Sequence, residues 1–549
     1  MNTPMQTLDY VVFLVYFIIV SGYGYWVYQR RKKAHNNPQD FFLAEGQLTW
    51  WAIGASLIAS NISAEQFIGM GGSGFALGLG IASYEWMAAI TLIIVAVFFM
   101  PLYLKNNIYT MPQFLRHRYN EQVATIMAVF WLLIYVLVNL TSIIYLGALS
   151  IQHMLQLPFM WCAVGLALFA ILITLGGMRV IGYTDVIQVF FLILGGLATT
   201  YLALSLVSEK LGTNAGVFEG LQLLRQKAPD HFHMIIPKGE YQVHDGQGGM
   251  QDPWYQLPGL AVLIGGMWIA NLSYWGCNQY ITQRALGAKL PTARSGLLFA
   301  SFLKLLMPAI VVLPGIACYI LFTNNADENI VNSITENGIV KPDNSYSTLL
   351  GLLPEGLKGV SFAALTAAIV ASLAGKANSI STIFSLDIYK RFVNKDAEDK
   401  KVVKIGRWTV LVAFAIALII SPALKNFGQG FTYIQEFTGF ITPGILAMFL
   451  FGFFWKRANS AGALAATLCS IPFSAVLKFL MPDIPFLNRM GIVFLICAGL
   501  IVVFGLLSPH KENPKALVID KGMFRVSNSF MAGALLVVGI LAALYIVYW

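Results

Sequence analysis

Ala59-Ser60-Asn61-Ile62-Ser63-Ala64-Glu65-Gln66, followed by Gly69, Gly71, Gly72 and Gly74, interrupts an apolar stretch running from 48 to 75. Backbone that leaves the helix at membrane depth survives only where it lines a cavity or is buried in protein. The stretch therefore predicts a broken helix facing other helices. A second interruption, Ala270-Asn271-Leu272-Ser273-Tyr274-Trp275-Gly276-Cys277-Asn278-Gln279, falls in the apolar stretch 258–284. The two lie five predicted helices apart, and a repeat of odd length reverses direction across a membrane, so the second copy is inverted. Interrupted helices in matching positions of two halves point to a solute site. Both also carry an Asn-aliphatic-Ser triplet, Asn61-Ile62-Ser63 and Asn271-Leu272-Ser273.

The rest of the chain fits a bilayer. Of 549 residues 57 % are hydrophobic and 11 % charged, against about 25 % charged in soluble domains. That excludes a soluble enzyme, a secreted disulfide scaffold and a nucleic-acid binder. Fourteen apolar segments long enough to span are expected at 9–29, 48–75, 78–103, 121–149, 158–177, 180–206, 258–284, 294–323, 358–388, 405–422, 430–455, 459–480, 489–508 and 528–548. The result is an all-α polytopic membrane protein with long polar connections at 207–257 and 324–357. With both termini outside, 24 of the 35 Lys and Arg fall in cytoplasmic segments and nine in external ones, as basic residues do in inner membranes. Arg30, Arg31, Lys32 and Lys33 follow the first span and no basic residue precedes it, the reverse of a signal peptide. The net charge of +9 thus reads as membrane topology. The five cysteines, all in apolar stretches, read as small buried hydrophobes. His231 and His233 read as solvated loop residues.

Two basic residues remain, Lys304 and Lys376, both inside apolar helices. A charge at that depth costs at least about 2.5–3.5 kcal/mol and implies function. Glu85 lies about 10 Å inside the external end of its span and Lys304 about 15 Å from the cytoplasmic end of its own, at 1.5 Å rise per residue. They are expected either to pair between helices or to face one polar cavity. With the amides of Gln66, Asn271 and Gln435 they form a donor and acceptor set suited to a neutral polyhydroxylated solute. Lys376 falls one helical turn after Ser372 and is expected to pair with Asp185 or to line the inward exit. Carbonyls freed at Ala59 and Ile62 and the Ser372 hydroxyl are oxygens suited to an alkali cation. No P-loop, GxSxG, HExxH or Cys/His metal spacing occurs, so no enzyme chemistry is expected. Tyr84, Trp86, Tyr274, Trp275 and Phe431 read as packing, or as stacking surfaces beside a sugar-like solute.

From Asn61 through Met70 the chain resembles the solute:sodium symporter family, and within it the sodium/galactose and sodium/glucose cotransporters. The resemblance continues through Ala82-Ser83-Tyr84-Glu85-Trp86-Met87, Tyr183-Thr184-Asp185-Val186-Ile187-Gln188, Asn278-Gln279-Tyr280 with Gln283-Arg284, Asn378-Ser379, Asp387-Ile388-Tyr389-Lys390, Pro443-Gly444-Ile445-Leu446-Ala447 and Phe454-Trp455-Lys456. It implies a LeuT-like core of two inverted five-helix repeats, 48–206 and 258–455, separated by the external loop 207–257. Residues 1–47 precede the core, and 456–549 add three helices. It further implies sodium-coupled import of a hexose by alternating access at the plasma (inner) membrane, with sodium as coupling ion and no obligatory protein partner.

By the same resemblance the hexose contacts Asn61, Gln66, Glu85, Asn271, Lys304 and Gln435. Tyr274 forms the inner gate; Met70, Tyr84 and Phe431 form the outer one. Sodium is held by Ala59, Ile62, Ala368 and Ser372, with Asp185 on its exit. The chain departs from the family's pattern at Ala371, where a second sodium-ligating serine is expected, at Ala88, in place of a serine near the sugar, at Ser273, in place of an aromatic beside the gate, and at Lys376, where an apolar residue is expected. These departures leave room for another solute (an inositol, a nucleoside, a sialic acid) or for an uncoupled sugar sensor or channel.

Overall fold

The computed structural model describes residues 5–30, 48–175, 177–212, 216–426, 430–509 and 512–549. The basic residues at 31–33 lie outside these, as do the side chains of Arg30 and Arg179. Among the described residues ten helices are long and apolar enough to cross a membrane, from Thr7–Trp26 to Asn528–Val547. The difference from fourteen has a physical origin. Segment 158–177 is the shorter helix Phe159–Thr174, and three other segments are broken. These are Trp50–Asn61 with its continuation, Gly266–Gly276 with Gln279–Leu286, and Gly430–Thr438 with Thr442–Phe454.

Both chain ends meet the long connections on one face. The Asp9 carboxylate accepts hydrogen bonds from the N–H groups of Gly356 (2.8 Å) and Gly359 (2.9 Å). At the other end Met234 N–H donates to the Tyr548 carbonyl at 2.8 Å. The connection around 207–257 carries the helix Val217–Lys227 and the antiparallel pair Val243–His244 and Met250–Gln251. On the opposite face basic residues tie the short connections together. Arg118 donates to the carbonyls of Gly452 (2.7 Å) and Trp455 (3.0 Å), and Arg116 pairs with Asp387 at 3.0 Å.

His231 departs from expectation. It is 3 % exposed, its ring stacks on Tyr319 with centroids 3.9 Å apart, and its Nε2 lies 3.0 Å from the Phe75 carbonyl. Burial pushes the imidazole down to about 4, so it stays neutral. The connection carrying it packs down onto the turn at Gly78, whose φ of +69° suits only glycine and where a Cβ would meet the His231 backbone. His233, by contrast, is exposed. Cys162, Cys277, Cys318 and Cys497 are buried, Cys469 is partly so, and all five are unpaired thiols.

Glycines after the first break permit a close helix contact. A Cβ on Gly315, in the helix Leu290–Thr323, would run into the Gly71 carbonyl and lie 2.8 Å from Phe75 N. Gly165 has open space around it. Gly315→Ala should lower the melting temperature of the detergent-purified protein, for a cost of about 1–3 kcal/mol from overpacking, while Gly165→Ala should not. Equal melting of both variants and the parent would contradict the close approach.

Candidate functional site

The helix Trp50–Asn61 ends because Ile62 turns extended, at φ −80° and ψ 106°. Ser63 then starts the next segment. Its hydroxyl accepts from Glu65 N–H (3.1 Å), and Gln66 Oε1 accepts from Ser63 N–H (3.1 Å). This reciprocal cap satisfies donors that the break would orphan. The second break falls at Cys277 and Asn278 (φ −98°, ψ 123°), where Asn278 Oδ1 caps Tyr280 N–H at 3.0 Å. The matching triplets are therefore not equivalent. Asn61-Ile62-Ser63 straddles its break, whereas Asn271-Leu272-Ser273 lies within the intact helix Gly266–Gly276, where Asn271 Nδ2 donates to the Met267 carbonyl at 3.1 Å.

Between the breaks lies a cavity of about 100 Å³. Asn61, Gln66, Glu85, Asn271, Lys304 and Gln435 all line it, together with Tyr274, Met70, Tyr84, Phe431 and Ala88. Lys304 and Glu85 form an ion pair with side chains 1 % and 4 % exposed. The same ammonium donates to Asn61 Oδ1 and sits 5.1 Å over the Trp275 ring. Asn61 in turn donates through Nδ2 to the Tyr274 hydroxyl at 3.2 Å. One asparagine at the first break thus joins the charged helix Leu290–Thr323 to the second broken helix. The pair uses its charges on each other, while the amides and hydroxyls around it offer hydrogen bonds in both directions.

Met70, Tyr84 and Phe431 are buried. Tyr84 and Phe431 meet edge to face at 5.1 Å, and a Cβ at Gly69 would lie 2.9 Å from Phe431 Cβ. The glycine therefore lets the short helix Gly430–Thr438 close against the first broken helix.

Ala59, Ile62, Ala368 and Ser372 are fully buried. The Ser372 hydroxyl donates to the Ser60 carbonyl at 3.0 Å and lies 3.1 Å from the Tyr280 hydroxyl, which also donates to Ser60. The carbonyls at this helix end and the serine hydroxyl are neutral hard oxygens. That donor set fits an alkali cation; among the described residues no group of three His, Cys, Asp or Glu could hold another metal. Ala371 is buried and adds no side-chain oxygen. Tyr280 was legible only as part of a motif, with no role of its own.

Asp185 is held by the Ser56 hydroxyl at 2.5 Å, with Arg284 at 3.9 Å. Arg284 Nε also donates to Ser56 Oγ at 2.9 Å. The expected pairing of Asp185 with Lys376 is thus corrected. Lys376 instead pairs with Glu65 at 3.4 Å and lines the cavity beside it. Lysine reaches back toward the N-terminal turn of its helix, and there it meets the carboxylate just past the break. Glu65 went unassigned in the sequence, although an acid at membrane depth beside a break was the available signal.

Comparison with known proteins follows the same lines. The description "Sodium:solute symporter family" matches residues 41–470. The chain is 46 % identical to a sodium/glucose cotransporter of Vibrio parahaemolyticus, over 99 % of both chains. It is 34 % identical to human sodium/myo-inositol cotransporter 2, over 83 % of this chain and 67 % of that one. A solved Na⁺-coupled sialic acid symporter in a substrate-bound outward-open state superposes with a TM-score of 0.76 at 20 % identity, covering 92 % of this chain and 98 % of that one. That likeness establishes a shared fold.

Removing one partner of a buried pair leaves an uncompensated charge, at about 3–5 kcal/mol. Glu85→Gln and Lys304→Met should each lower unfolding stability by that order, and the double variant should lose less than the sum. Additive losses in a double-mutant cycle would show that the two charges do not interact.

Proposed function

The chain belongs to the sodium:solute symporter family, and from that premise we infer that it is a sodium-coupled symporter importing a hexose, galactose or glucose, by alternating access. It is a multi-pass membrane transporter and not an enzyme. One observation carries the choice of solute: the Glu85–Lys304–Asn61–Tyr274 chain inside a cavity whose other charged lining residues, Glu65 and Lys376, also pair with each other, beside amides, hydroxyls and aromatic rings. The internally neutralised pair presents no net charge to a solute, and sugar hydroxyls both donate and accept.

In the proposed cycle sodium enters from outside and binds the oxygens at Ala59, Ile62, Ala368 and Ser372, holding the end of Trp50–Asn61 against the helix Leu357–Thr382. The hexose then contacts Asn61, Gln66, Glu85, Asn271, Lys304 and Gln435, stacked on Tyr274. Met70, Tyr84 and Phe431 close over it. The core, two inverted five-helix repeats at 48–206 and 258–455 within fourteen spans, rocks against the remaining helices. Sodium leaves toward the cytoplasm past Asp185, and Tyr274 opens. Both termini face outward from a plasma (inner) membrane, in keeping with their shared face with the long connections.

One sodium moving down 100 mV releases about 2.3 kcal/mol and a tenfold gradient about 1.4 kcal/mol. Together they support roughly two to three decades of sugar accumulation. A second reading, import of a cyclic polyol, is favoured by the relative named as a myo-inositol cotransporter. It would use the same neutral cavity.

The test is uptake of labelled galactose, glucose and myo-inositol into proteoliposomes under a sodium gradient, a proton gradient or neither. Concentrative, sodium-dependent hexose uptake is expected; uptake that ignores sodium would refute the reading. Gln435→Ala should raise the half-saturating hexose about two- to tenfold, the worth of one neutral hydrogen bond at ~0.5–1.5 kcal/mol. Ser372→Ala should instead weaken sodium binding measured without sugar.

A further inference from the structure

One buried ion pair has no task in that cycle. Lys376 Nζ lies 3.4 and 3.5 Å from the two carboxylate oxygens of Glu65. Glu65 Oε1 also accepts from the Ser142 hydroxyl at 3.2 Å. Both charged side chains are almost wholly buried, yet both line the transport cavity. The ammonium also sits 5.5 Å over the ring of Tyr280, the residue whose hydroxyl meets Ser372 and the Ser60 carbonyl. The pair therefore adjoins the oxygens assigned to sodium, on the far side of the break.

Without the lysine, Glu65 would present its carboxylate to the cavity at membrane depth, with the Ser142 hydroxyl beside it. Such hard oxygens with one negative charge make a monovalent-cation site, and a bare carboxylate there would be costly to leave unmatched. The lysine supplies that charge from the chain itself. We propose that Glu65 and Ser142 form a second cation site whose permanent, tethered occupant is the Lys376 ammonium, so that a single free sodium accompanies each sugar. The proposal rests on the chain being a sodium-coupled sugar symporter. Its consequence is that the tethered charge shuttles with the protein and is never delivered, which fixes the charge moved per cycle.

The test counts ions. Full-length protein in proteoliposomes is given labelled sodium and labelled hexose, and the flux ratio is measured together with the shape of the sodium activation curve. The parent should move one sodium per sugar with a hyperbolic curve. Lys376→Met should move about two, with a sigmoidal curve, because sodium takes the vacated place. Adding Glu65→Gln to Lys376→Met removes the site's charge and should restore the ratio of one. A ratio of one in the single variant, or uptake that becomes driven by protons, overturns the proposal. So does a Lys376→Met protein that fails to fold even in high sodium, since sodium should stand in for the ammonium. A parent that takes up sugar without sodium would instead refute the transport reading itself.

Discussion

A charge buried at bilayer depth must be matched, and the first broken helix is where this protein does the matching. Asn61 holds Lys304, which pairs with Glu85; Glu65 pairs with Lys376; Ser56 holds Asp185 beside Arg284. Within ten residues, the end of the helix Trp50–Asn61 and the start of the segment after its break touch three ion pairs that draw on five other helices. The backbone freed at Ile62 is thus fixed from several sides without being continuous.

That arrangement suits a moving part. Each contact is made by a side chain and none is part of the helix ladder, so a shift of the segment with its partners would cost no helical hydrogen bond. The Asn61–Tyr274 bond reaches the second broken helix, and the Ser60 carbonyl reaches Ser372 and Tyr280. In the proposed cycle a cation at the helix end and a solute at Asn61 would act on the same few residues. Any change that one ligand makes in the affinity for the other would then be returned by the same factor.

Much of this was legible in the sequence. The polar run at 59–66 announced the break because apolar composition on both sides left no other reason for it. The depths of Glu85 and Lys304 foretold their meeting. Sequence failed where partners were distant along the chain. For Lys376 the sequence suggests Asp185 or the inward exit, and only the packed helices bring Glu65 within 3.4 Å. The triplet at 271–273 misled because a short string carries no information on where the helix ends; the cap by Asn278 decides that. His231 looked solvated because its loop is polar, and only the packing of that loop onto Gly78 reveals otherwise. Of the fourteen spans expected, two with breaks, ten are long helices among the described residues, since a broken or short helix retains the composition of a whole one.

In the proposed function a hexose sits among Asn61, Glu85, Lys304 and Gln435, with a sodium at Ser372. The most direct measurement is a structure of the purified protein with galactose and sodium present. Sugar density is expected between the two broken helices, hydrogen-bonded to Asn61 and Gln435. Sugar density elsewhere, with that cavity filled only by water, would contradict it.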